Sequence, residues 1–267
     1  MKTLKLAVIG KDVSKSQSPQ IHNFIAQKTG NKISYERISI AEDRFENEIE
    51  KLLGTYDGFN VTIPYKLSVI PHLNEIVGDA KTFGAVNTVC PHSRKGYNTD
   101  GLGFMLMLEV EGVDVKDKTV LLLGAGGAGR SVAKKLSDGG ARVFIYDKNY
   151  QNAKAVADEF DGITVLENLD NKPYYAIINA TGVGMHKTEG ISPIGADLIN
   201  LCEVAVDLIY VPPVSKFLEI ANGLGKKIVN GEQMLFYQAY YSQCIYFGKN
   251  ADAKQAKILY TQYKEEL

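Results

Sequence analysis

The stretch Lys118–Leu136 reads KTVLLLGAGGAGRSVAKKL, and its pattern decides the fold of the chain around it. The apolar run Thr119–Leu123 is typical of a buried strand in a parallel sheet, and apolar residues at helical spacing follow the glycines. Between them stands G-x-G-x-x-G, whose glycines permit a tight turn, close approach of backbone to a pyrophosphate, and close packing of helix on strand. Free N–H groups at the start of the helix attract phosphate. We therefore predict a dinucleotide-binding segment, with an ordinary strand–turn–helix as the alternative.

Composition restricts the classes of protein to which the chain can belong. Its 267 residues suffice for two domains, and 45% hydrophobic with 23% charged residues indicates a globular protein with a core. A formal net charge of −1 gives no bulk attraction to nucleic acid or to an anionic membrane. The cysteines Cys90, Cys202 and Cys244 stand far apart, so we expect reduced thiols in a cytoplasmic protein. The histidines lack the spacing of metal ligands, and no metal is predicted.

Alternating strands and helices occur twice along the chain. In the first part, apolar runs predict strands at 4–9, 34–40 and 58–63, an antiparallel excursion at 85–90 and 96–98, and helices beginning at Pro19, Arg44 and Gly101. The run at 4–9 is too short for a signal or membrane segment, so we expect a first strand there. In the second part, strands are predicted at 119–123, 142–146, 163–165, 175–179, 204–207 and 227–229, with helices at 127–137, 151–160 and 214–222. Two terminal helices, at 231–247 and 251–265, are expected to pack back on the first domain.

These elements predict an α/β fold of two domains. Residues 1–101 with 237–267 would form an N-terminal α/β substrate-binding domain around a mainly parallel sheet. Residues 102–236 would form a Rossmann-type doubly wound dinucleotide-binding domain. The sequence does not fix the oligomeric state, and a monomer or a homodimer is expected.

The cofactor's adenosine ribose is usually read about 20 residues beyond the glycine pattern, at the end of the second strand. Asp147 and Lys148 occupy that position here. Because an aspartate accepts hydrogen bonds from a ribose 2′-OH and repels a 2′-phosphate, Asp147 favours NAD. Because a lysine attracts that phosphate as a point charge, Lys148 favours NADP. The two residues point to different cofactors.

Polar clusters follow predicted strands of the first domain, where an α/β sheet places its ligands. They are Ser16–Pro19, Asn60–Lys66, and Gly84–Thr88 together with Asn98–Gly101. Taken singly, each has an ordinary explanation: Ser18 and Asp100 can cap helices, and a lone Lys66 is usually solvated. His22, on the helix after Pro19, is expected to be a packing or surface residue.

Together these clusters resemble the shikimate dehydrogenase family, whose members act on shikimate or quinate. The matching pieces occur in family order over nearly the whole chain. They are S-x-S-P at 16–19, N-V-T-I-P-x-K at 60–66, G-A-V-N-T at 84–88, N-T-D-G at 98–101, G-A-G-G-A at 124–128, N-A-T at 179–181, D-L-I-Y at 207–210 and N-G-x-x-M-L-x-x-Q-A at 230–239. Eight motifs in register are far more specific than any one of them.

The resemblance implies two domains with the active site in the cleft between them. It also implies reversible, nicotinamide-dependent reduction of 3-dehydroshikimate to shikimate, a step in the biosynthesis of aromatic amino acids. Lys66 and Asp100 would be the catalytic pair. Substrate would be bound by Ser16 and Ser18 at the carboxylate, by Thr62, Asn87 and Gln238 at ring hydroxyls, and by Tyr210 near the carboxylate. Cofactor would be bound by Gly124, Ala125, Gly126, Gly127, Ala128, Gly129, Asp147, Lys148, Asn179, Thr181, Leu208 and Gly231.

The chain departs from the common family pattern in two places. Gln17 replaces a lysine between the serines, which removes a charge and keeps both hydroxyls. NADP-using members carry N-R-T where this chain has Asp147-Lys148-Asn149. Family habit therefore implies NADP, and the aspartate leaves NAD as the alternative. The alternative functions are a quinate or dual quinate/shikimate dehydrogenase and, more distantly, a non-catalytic dinucleotide sensor.

Overall fold

The computed structural model describes residues 2–267, which form two compact units. Unit 1 contains the residues up to Gly103 together with Leu235–Leu267, and unit 2 is Phe104–Met234. These limits lie two residues from the expected domain boundaries at 101 and 236. The binding role of each unit stays a prediction at this point.

Strands and helices alternate in both units. The strands are β1 Leu4–Gly10, β2 Ile33–Ser39, β3 Gly58–Val61, β4 Glu75–Ile76, β5 Thr88–Cys90, β6 Lys95–Tyr97, β7 Thr119–Leu123, β8 Arg142–Tyr146, β9 Ile163–Val165, β10 Tyr174–Asn179, β11 Cys202–Asp207 and β12 Lys227–Asn230. The helices are α1 Ser18–Lys28, α2 Phe45–Thr55, α3 Asp79–Phe83, α4 Asp100–Val110, α5 Gly127–Asp138, α6 Tyr150–Glu159, α7 Ala196–Ile199, α8 Lys216–Gly223, α9 Glu232–Tyr246 and α10 Ala253–Glu265.

The sheet of unit 1 has the order β2-β1-β3-β5-β6-β4. Strand β1 pairs in parallel with β2 and β3, while β5 pairs antiparallel with β3 and β6. The antiparallel part is the excursion predicted from the sequence. Buried apolar side chains of β1, β3 and α2, among them Ile9, Ile49 and Phe59, pack on one face of this sheet.

The sheet of unit 2 is parallel throughout, in the order β12-β11-β10-β7-β8-β9. Counted from β7, this is the doubly wound order 3-2-1-4-5-6, which reverses direction between β7 and β10. Strand β7 has the predicted limits, Thr119–Leu123, and lies at that reversal. The predicted α/β fold with a Rossmann-type unit is confirmed.

The short elements β4, α3 and α7 were not predicted, since two to five residues contain too little periodicity. Gly54 lies inside α2, which continues to Thr55. An added Cβ at Gly54 would meet nothing within 4 Å. Helix continuation there is therefore not opposed by packing.

The C-terminal residues of α9, together with α10, belong to unit 1. Aromatic rings join them to α1: the Phe24 ring lies 6.3 Å from that of Phe236 and 5.1 Å from that of Tyr263, centroid to centroid. Edge-to-face pairs of this kind add to the burial of apolar surface. Nowhere in residues 2–267 does a helix combine the length and apolarity needed to cross a membrane.

His22 of α1 is a buried titratable group. It is 0% exposed, and its ring stacks on Tyr35 at a centroid distance of 4.4 Å. Neither ring nitrogen has a hydrogen-bond partner among the described residues. Burial lowers the pKa of His22 from 6.5 to about 3. It is thus a packing residue that stays neutral in the folded protein.

This burial makes stability depend on pH in a defined direction. The unfolded chain binds the His22 proton below pH 6.5 and the folded chain does so only below about pH 3. The free energy of unfolding should therefore fall as pH drops through this window, by about 2 kcal/mol at about pH 5. The free energy of unfolding, measured with urea at several pH values, should change less steeply with pH in His22→Leu than in the wild type. The exposed His92, replaced in the same way, serves as the control, and equal slopes for wild type and His22→Leu would contradict this account.

Candidate active site

The loops that follow β1 and β3 are joined at the carboxyl ends of these two strands. The backbone N–H of Lys11 donates to the carbonyl of Ile63 at 3.2 Å, and that of Thr62 donates to the carbonyl of Ile9 at 2.9 Å. Thr62, predicted to bind a ring hydroxyl, follows β3 directly and is half-buried. Parallel pairing of β1 with β3 therefore places the two loops side by side.

Lys66 and Asp100 form an ion pair at this edge. The ammonium nitrogen of Lys66 lies 2.5 Å from Oδ2 of Asp100. The side chains are 20% and 11% exposed, so they are largely removed from solvent and still reachable. Charge-assisted hydrogen bonds of this kind are among the stronger polar interactions in proteins. The two residues predicted to be catalytic, 34 positions apart in sequence, are thus in direct contact.

The backbone of Lys66 is fixed from both sides. The neighbouring Tyr65 is buried, its hydroxyl donates to the carbonyl of Ile40 at 2.5 Å, and its ring stacks on Phe45. The carbonyl of Lys66 itself accepts from the N–H of Val86 at 2.9 Å. The segment G-A-V-N-T therefore anchors the lysine loop through its backbone.

Asn87, from the same segment, orients the carboxylate of Asp100. Nδ2 of Asn87 donates to Oδ1 of Asp100 at 2.8 Å, and Asp100 N–H donates to Oδ1 of Asn98 at 3.0 Å. Although Asp100 begins α4, its carboxylate is used by Asn87 and Lys66. An explanation of Asp100 as a helix cap alone is therefore insufficient.

Ser16 and Ser18 lie together at the start of α1. The Ser16 hydroxyl donates to that of Ser18 at 3.1 Å, and Ser18 is 7% exposed. The expectation that Ser18 caps the helix is wrong: Gln17 occupies the cap position, and its own side chain makes no capping hydrogen bond. The cause is that the helix already includes Ser18, one residue before Pro19. The Ser18 hydroxyl is therefore not a cap, and the Ser16 hydroxyl accepts from the backbone N–H of Ser18 at 3.3 Å.

Two further predicted substrate residues lie in different units. Gln238 of α9 belongs to unit 1, is 8% exposed, and donates from Nε2 to the carbonyl of Leu235 at 2.8 Å. Its Oε1 is left for another donor. Tyr210 belongs to unit 2 and is half-buried, and burial raises the pKa of its hydroxyl above the ordinary value of 10.0.

The glycine-rich segment of unit 2 has the geometry that dinucleotide binding requires. Gly124 has φ of 98°, which favours glycine in the turn after β7. An added Cβ at Gly129 would lie 2.1 Å from the carbonyl oxygen of Gly124, so helix and strand touch there. At Gly126 and Gly127 an added Cβ would meet nothing within 4 Å, and no side chain caps α5. The start of α5, which includes Ala128, thus fits a pyrophosphate.

Asp147 and Lys148 have different surroundings. Oδ2 of Asp147 accepts from the N–H of Ala125 at 2.8 Å, and Oδ1 accepts from the N–H of Asn149 at 2.8 Å. The carboxylate thus ties the glycine-rich loop to the end of β8. Lys148 is exposed and makes no hydrogen bond or ion pair with any described residue. Its ammonium group is available to a ligand.

Asn179 and Asp207, both 0% exposed, shape the loops after β10 and β11. Nδ2 of Asn179 donates to Oδ1 of Asp207 at 3.0 Å, and Oδ1 of Asn179 accepts from the N–H of Thr181 at 3.0 Å. Burial raises the pKa of Asp207. Gly231 packs on the loop after β11, since a Cβ there would lie 2.1 Å from the Leu208 carbonyl oxygen. The cofactor roles predicted for Asn179, Thr181, Leu208 and Gly231 stay predictions; the structure adds that they hold these loops.

Sequence reasoning assigned no role to a set of polar residues buried behind Asn87. These are Asn60, Thr88, Thr99 and Ser242, which we call the Ser242 network. Three of them stand inside the quoted motifs, and a buried hydroxyl or amide in a motif signals a partner. Ser242 stands outside every motif. Among the described residues, no group of three or more His, Cys, Asp or Glu side chains could hold a metal.

The sequence that forms these two units matches family profiles and known relatives. The profile of the shikimate dehydrogenase substrate binding domain matches residues 8–89, and that of shikimate / quinate 5-dehydrogenase matches residues 107–183. The shikimate dehydrogenase (NADP(+)) of Carboxydothermus hydrogenoformans is 39% identical over 245 residues, which cover 86% of this chain and 87% of the relative. The chain belongs to the shikimate dehydrogenase family.

Other shikimate dehydrogenases are similar over nearly their full length. The NADP(+) enzyme of Methanococcus maripaludis strain C7 is 36% identical over 264 residues, covering 94% of each chain. The crystal structure of shikimate 5-dehydrogenase from Thermus thermophilus, in complex with NADP(H) and shikimate, has a TM-score of 0.87 at 32% identity. That comparison covers 97% of this chain and 99% of the other.

The glycines of the cofactor loop should respond differently to alanine. Gly126→Ala fills open space at φ −70°, so stability should stay within about 0.5 kcal/mol while the Kd for NADP rises. Gly129→Ala forces β7 and α5 apart and should cost about 1–3 kcal/mol. Thermal unfolding and NADP titration by fluorescence measure both effects. Unchanged NADP binding in Gly126→Ala would exclude pyrophosphate from this loop.

Proposed function

We propose that the protein is an NADP-dependent shikimate dehydrogenase that interconverts 3-dehydroshikimate and shikimate, with Lys66 as the general acid and base. The observation that supports this most is the 2.5 Å contact between Lys66 and Asp100, inside motifs of the family. Unit 1 would bind the substrate and unit 2 the dinucleotide, and the reaction requires the two bound molecules to meet at Lys66.

The nicotinamide cofactor supplies or accepts the hydride when it is bound. Reduction of a ketone develops negative charge on the carbonyl oxygen. The Lys66 ammonium group stabilises that charge and donates the proton that completes the hydroxyl. In the oxidation of shikimate, the neutral amine accepts the hydroxyl proton.

Asp100 holds the Lys66 ammonium group through Oδ2 and accepts a hydrogen bond from Nδ2 of Asn87 through Oδ1. With the carboxylate fixed at both oxygens, the ammonium group is presented in one direction. Pre-positioning of this kind lowers the barrier because no reorganisation is needed when the substrate reacts. Asp100 therefore orients the lysine and shares in hydrogen bonding the reacting hydroxyl.

The substrate is a polyol with a carboxylate, and the polar residues of the site suit both parts. The adjacent hydroxyls of Ser16 and Ser18 would bind the carboxylate, with Tyr210 near it. Thr62, Asn87 and Gln238 would bind the ring hydroxyls. A compound that lacks one hydroxyl would leave a buried polar group unpaired, which is a strong basis for selectivity.

The surroundings of Asp147 support NADP. Both oxygens of its carboxylate accept backbone N–H groups of unit 2, so it acts as a clamp on the glycine-rich loop. The exposed Lys148 is left to attract a 2′-phosphate.

The cysteines Cys90, Cys202 and Cys244 are free thiols, which supports a cytoplasmic location.

Lys66→Ala should lower kcat by roughly 100-fold or more, the scale of lost general acid catalysis, without unfolding the protein. The exposed Lys32→Ala serves as the matched control and should keep wild-type turnover. Steady-state oxidation of shikimate, followed by NADPH absorbance, measures both. Full activity of Lys66→Ala would remove this residue from the mechanism.

Lys148→Ala should lower kcat/KM with NADP by roughly 10-fold and leave the value with NAD nearly unchanged, because one phosphate contact is lost. Asp147→Asn, which keeps one acceptor for the Ala125 N–H, is the companion variant. It should raise the ratio of kcat/KM with NADP to kcat/KM with NAD. Parallel assays with both cofactors measure the ratio. An equal loss with NAD and NADP in Lys148→Ala would mean that Lys148 does not contact the phosphate.

A dual quinate/shikimate dehydrogenase is the second candidate, because the profile that matches residues 107–183 describes both activities. Quinate carries an extra ring hydroxyl that the site would need to admit. Rates with shikimate and quinate distinguish the two, and faster turnover of quinate would replace the proposed substrate. A non-catalytic sensor is disfavoured, since a sensor has no need of a proton donor such as Lys66.

A further inference from the structure

The Ser242 network lies directly behind Asn87, with the hydroxyl of Ser242 at its centre. Ser242 is on α9 and is 0% exposed. Its oxygen lies 2.8 Å from Oγ1 of Thr88 and 3.1 Å from Oγ1 of Thr99. It also receives Nδ2 of Asn60 at 3.1 Å and donates to the carbonyl of Gln238 at 2.9 Å. One serine thus joins α9 to β3, to β5 and to the segment before α4.

Counting protons gives these hydrogen bonds a direction. A hydroxyl carries one proton, and that of Ser242 is shared between the carbonyl of Gln238 and Oγ1 of Thr88, because the Thr88 proton goes to Oδ1 of Asn87. Thr99 can then donate to Ser242 and accept from Nδ2 of Asn87 at 3.1 Å. Thr88 accepts from Asn60 at 3.2 Å and donates to Oδ1 of Asn87 at 2.8 Å. In this arrangement Ser242, Thr88, Asn87 and Thr99 form a closed ring of hydrogen bonds.

The same arrangement fixes the Asn87 amide. The backbone N–H of Thr99, which can only donate, lies 3.0 Å from Oδ1 of Asn87. The amide nitrogen must therefore face Oδ1 of Asp100, at 2.8 Å. Loss of the Ser242 hydroxyl would open this ring, because Thr88 would lose the contact at 2.8 Å and Thr99 would keep only the longer contact with Oδ1 of Asn87, at 3.3 Å, as an acceptor. The constraint on the Asn87 amide would then be weaker.

We propose that Ser242 is a positioning residue for the reaction, which acts through Thr88 and Thr99 on Asn87 and so sets the direction of the Asp100–Lys66 pair. The inference rests on the proposed function, because it assigns this pair to catalysis. Ser242 touches no substrate in this account. Its effect should appear in kcat more than in KM, since it orients the proton donor, and Asn87 is the one proposed substrate contact that Thr88 and Thr99 reach.

The test compares Ser242→Ala with Ser131→Ala in shikimate oxidation by NADP. Ser131 is a matched control: it is also buried on a helix and donates to the carbonyl four residues earlier, that of Gly127, at 3.2 Å. Ser242→Ala should lower kcat roughly 10-fold with less than about a 3-fold change in KM. Ser131→Ala should keep the wild-type kcat. Thermal unfolding of both variants reports any difference in stability.

A double-mutant cycle distinguishes positioning from a general loss of structure. In the Asn87→Ala background, Ser242→Ala should have almost no further effect on kcat, because its route to Asp100 is already removed. Independent, multiplying losses would overturn the proposal, as would an unchanged kcat in Ser242→Ala. If the wild type does not turn over shikimate, the proposed function itself fails, and this result is distinct from both.

A second pair of variants decides the question if Ser242→Ala does not fold. Thr88→Val removes, at nearly constant volume, one of the two threonine hydroxyls that contact both Ser242 and Asn87, whereas Thr88→Ser retains it. The proposal expects a kcat loss of roughly 10-fold for Thr88→Val and near wild-type kcat for Thr88→Ser. Equal kcat in the two variants would overturn it.

Discussion

The 2.5 Å ion pair between Lys66 and Asp100 is the interaction on which the site in unit 1 depends. Two partly buried charges lose hydration, and such a pair is favourable only where geometry is good and the remaining polar atoms are satisfied. Here the lysine backbone is held by Val86, and the second carboxylate oxygen is held by Asn87. The motifs at 60–66, 84–88 and 98–101 are therefore parts of one arrangement.

Unit 2 satisfies a different constraint, close approach of backbone. Gly129 lets α5 touch the turn after β7, and Gly231 lets the end of β12 touch the loop after β11. Buried Asn179 and Asp207 then take up the polar groups of the loops at the carboxyl edge of the sheet. A strand edge with small residues and open N–H groups is what an anionic dinucleotide needs, and the clamp from Asp147 to the Ala125 N–H keeps the glycine-rich loop in that shape.

Local pattern predicted much of the fold. The apolar run 119–123 matches β7 residue for residue, because the polar residues before it and the glycine after it mark both ends of the buried strand. The Lys66–Asp100 pair was predicted only from the family resemblance, since no local pattern joins residues 34 positions apart. Ser18 was wrongly expected to cap α1, because the helix starts one residue earlier than proline suggests. Ser242 could not be predicted, since its partners Thr88 and Thr99 lie 154 and 143 positions away.

The central claim is that the Lys66 ammonium group donates the proton to the substrate oxygen. A crystal structure of the protein with shikimate and NADP bound tests it most directly, through the distance from Nζ of Lys66 to the hydroxyl that is oxidised. We expect a hydrogen-bond distance, roughly 2.6–3.2 Å, with the nicotinamide ring next to the carbon that carries this hydroxyl. A Lys66 side chain that points away from that hydroxyl, with another group of the protein in its place, would contradict the account.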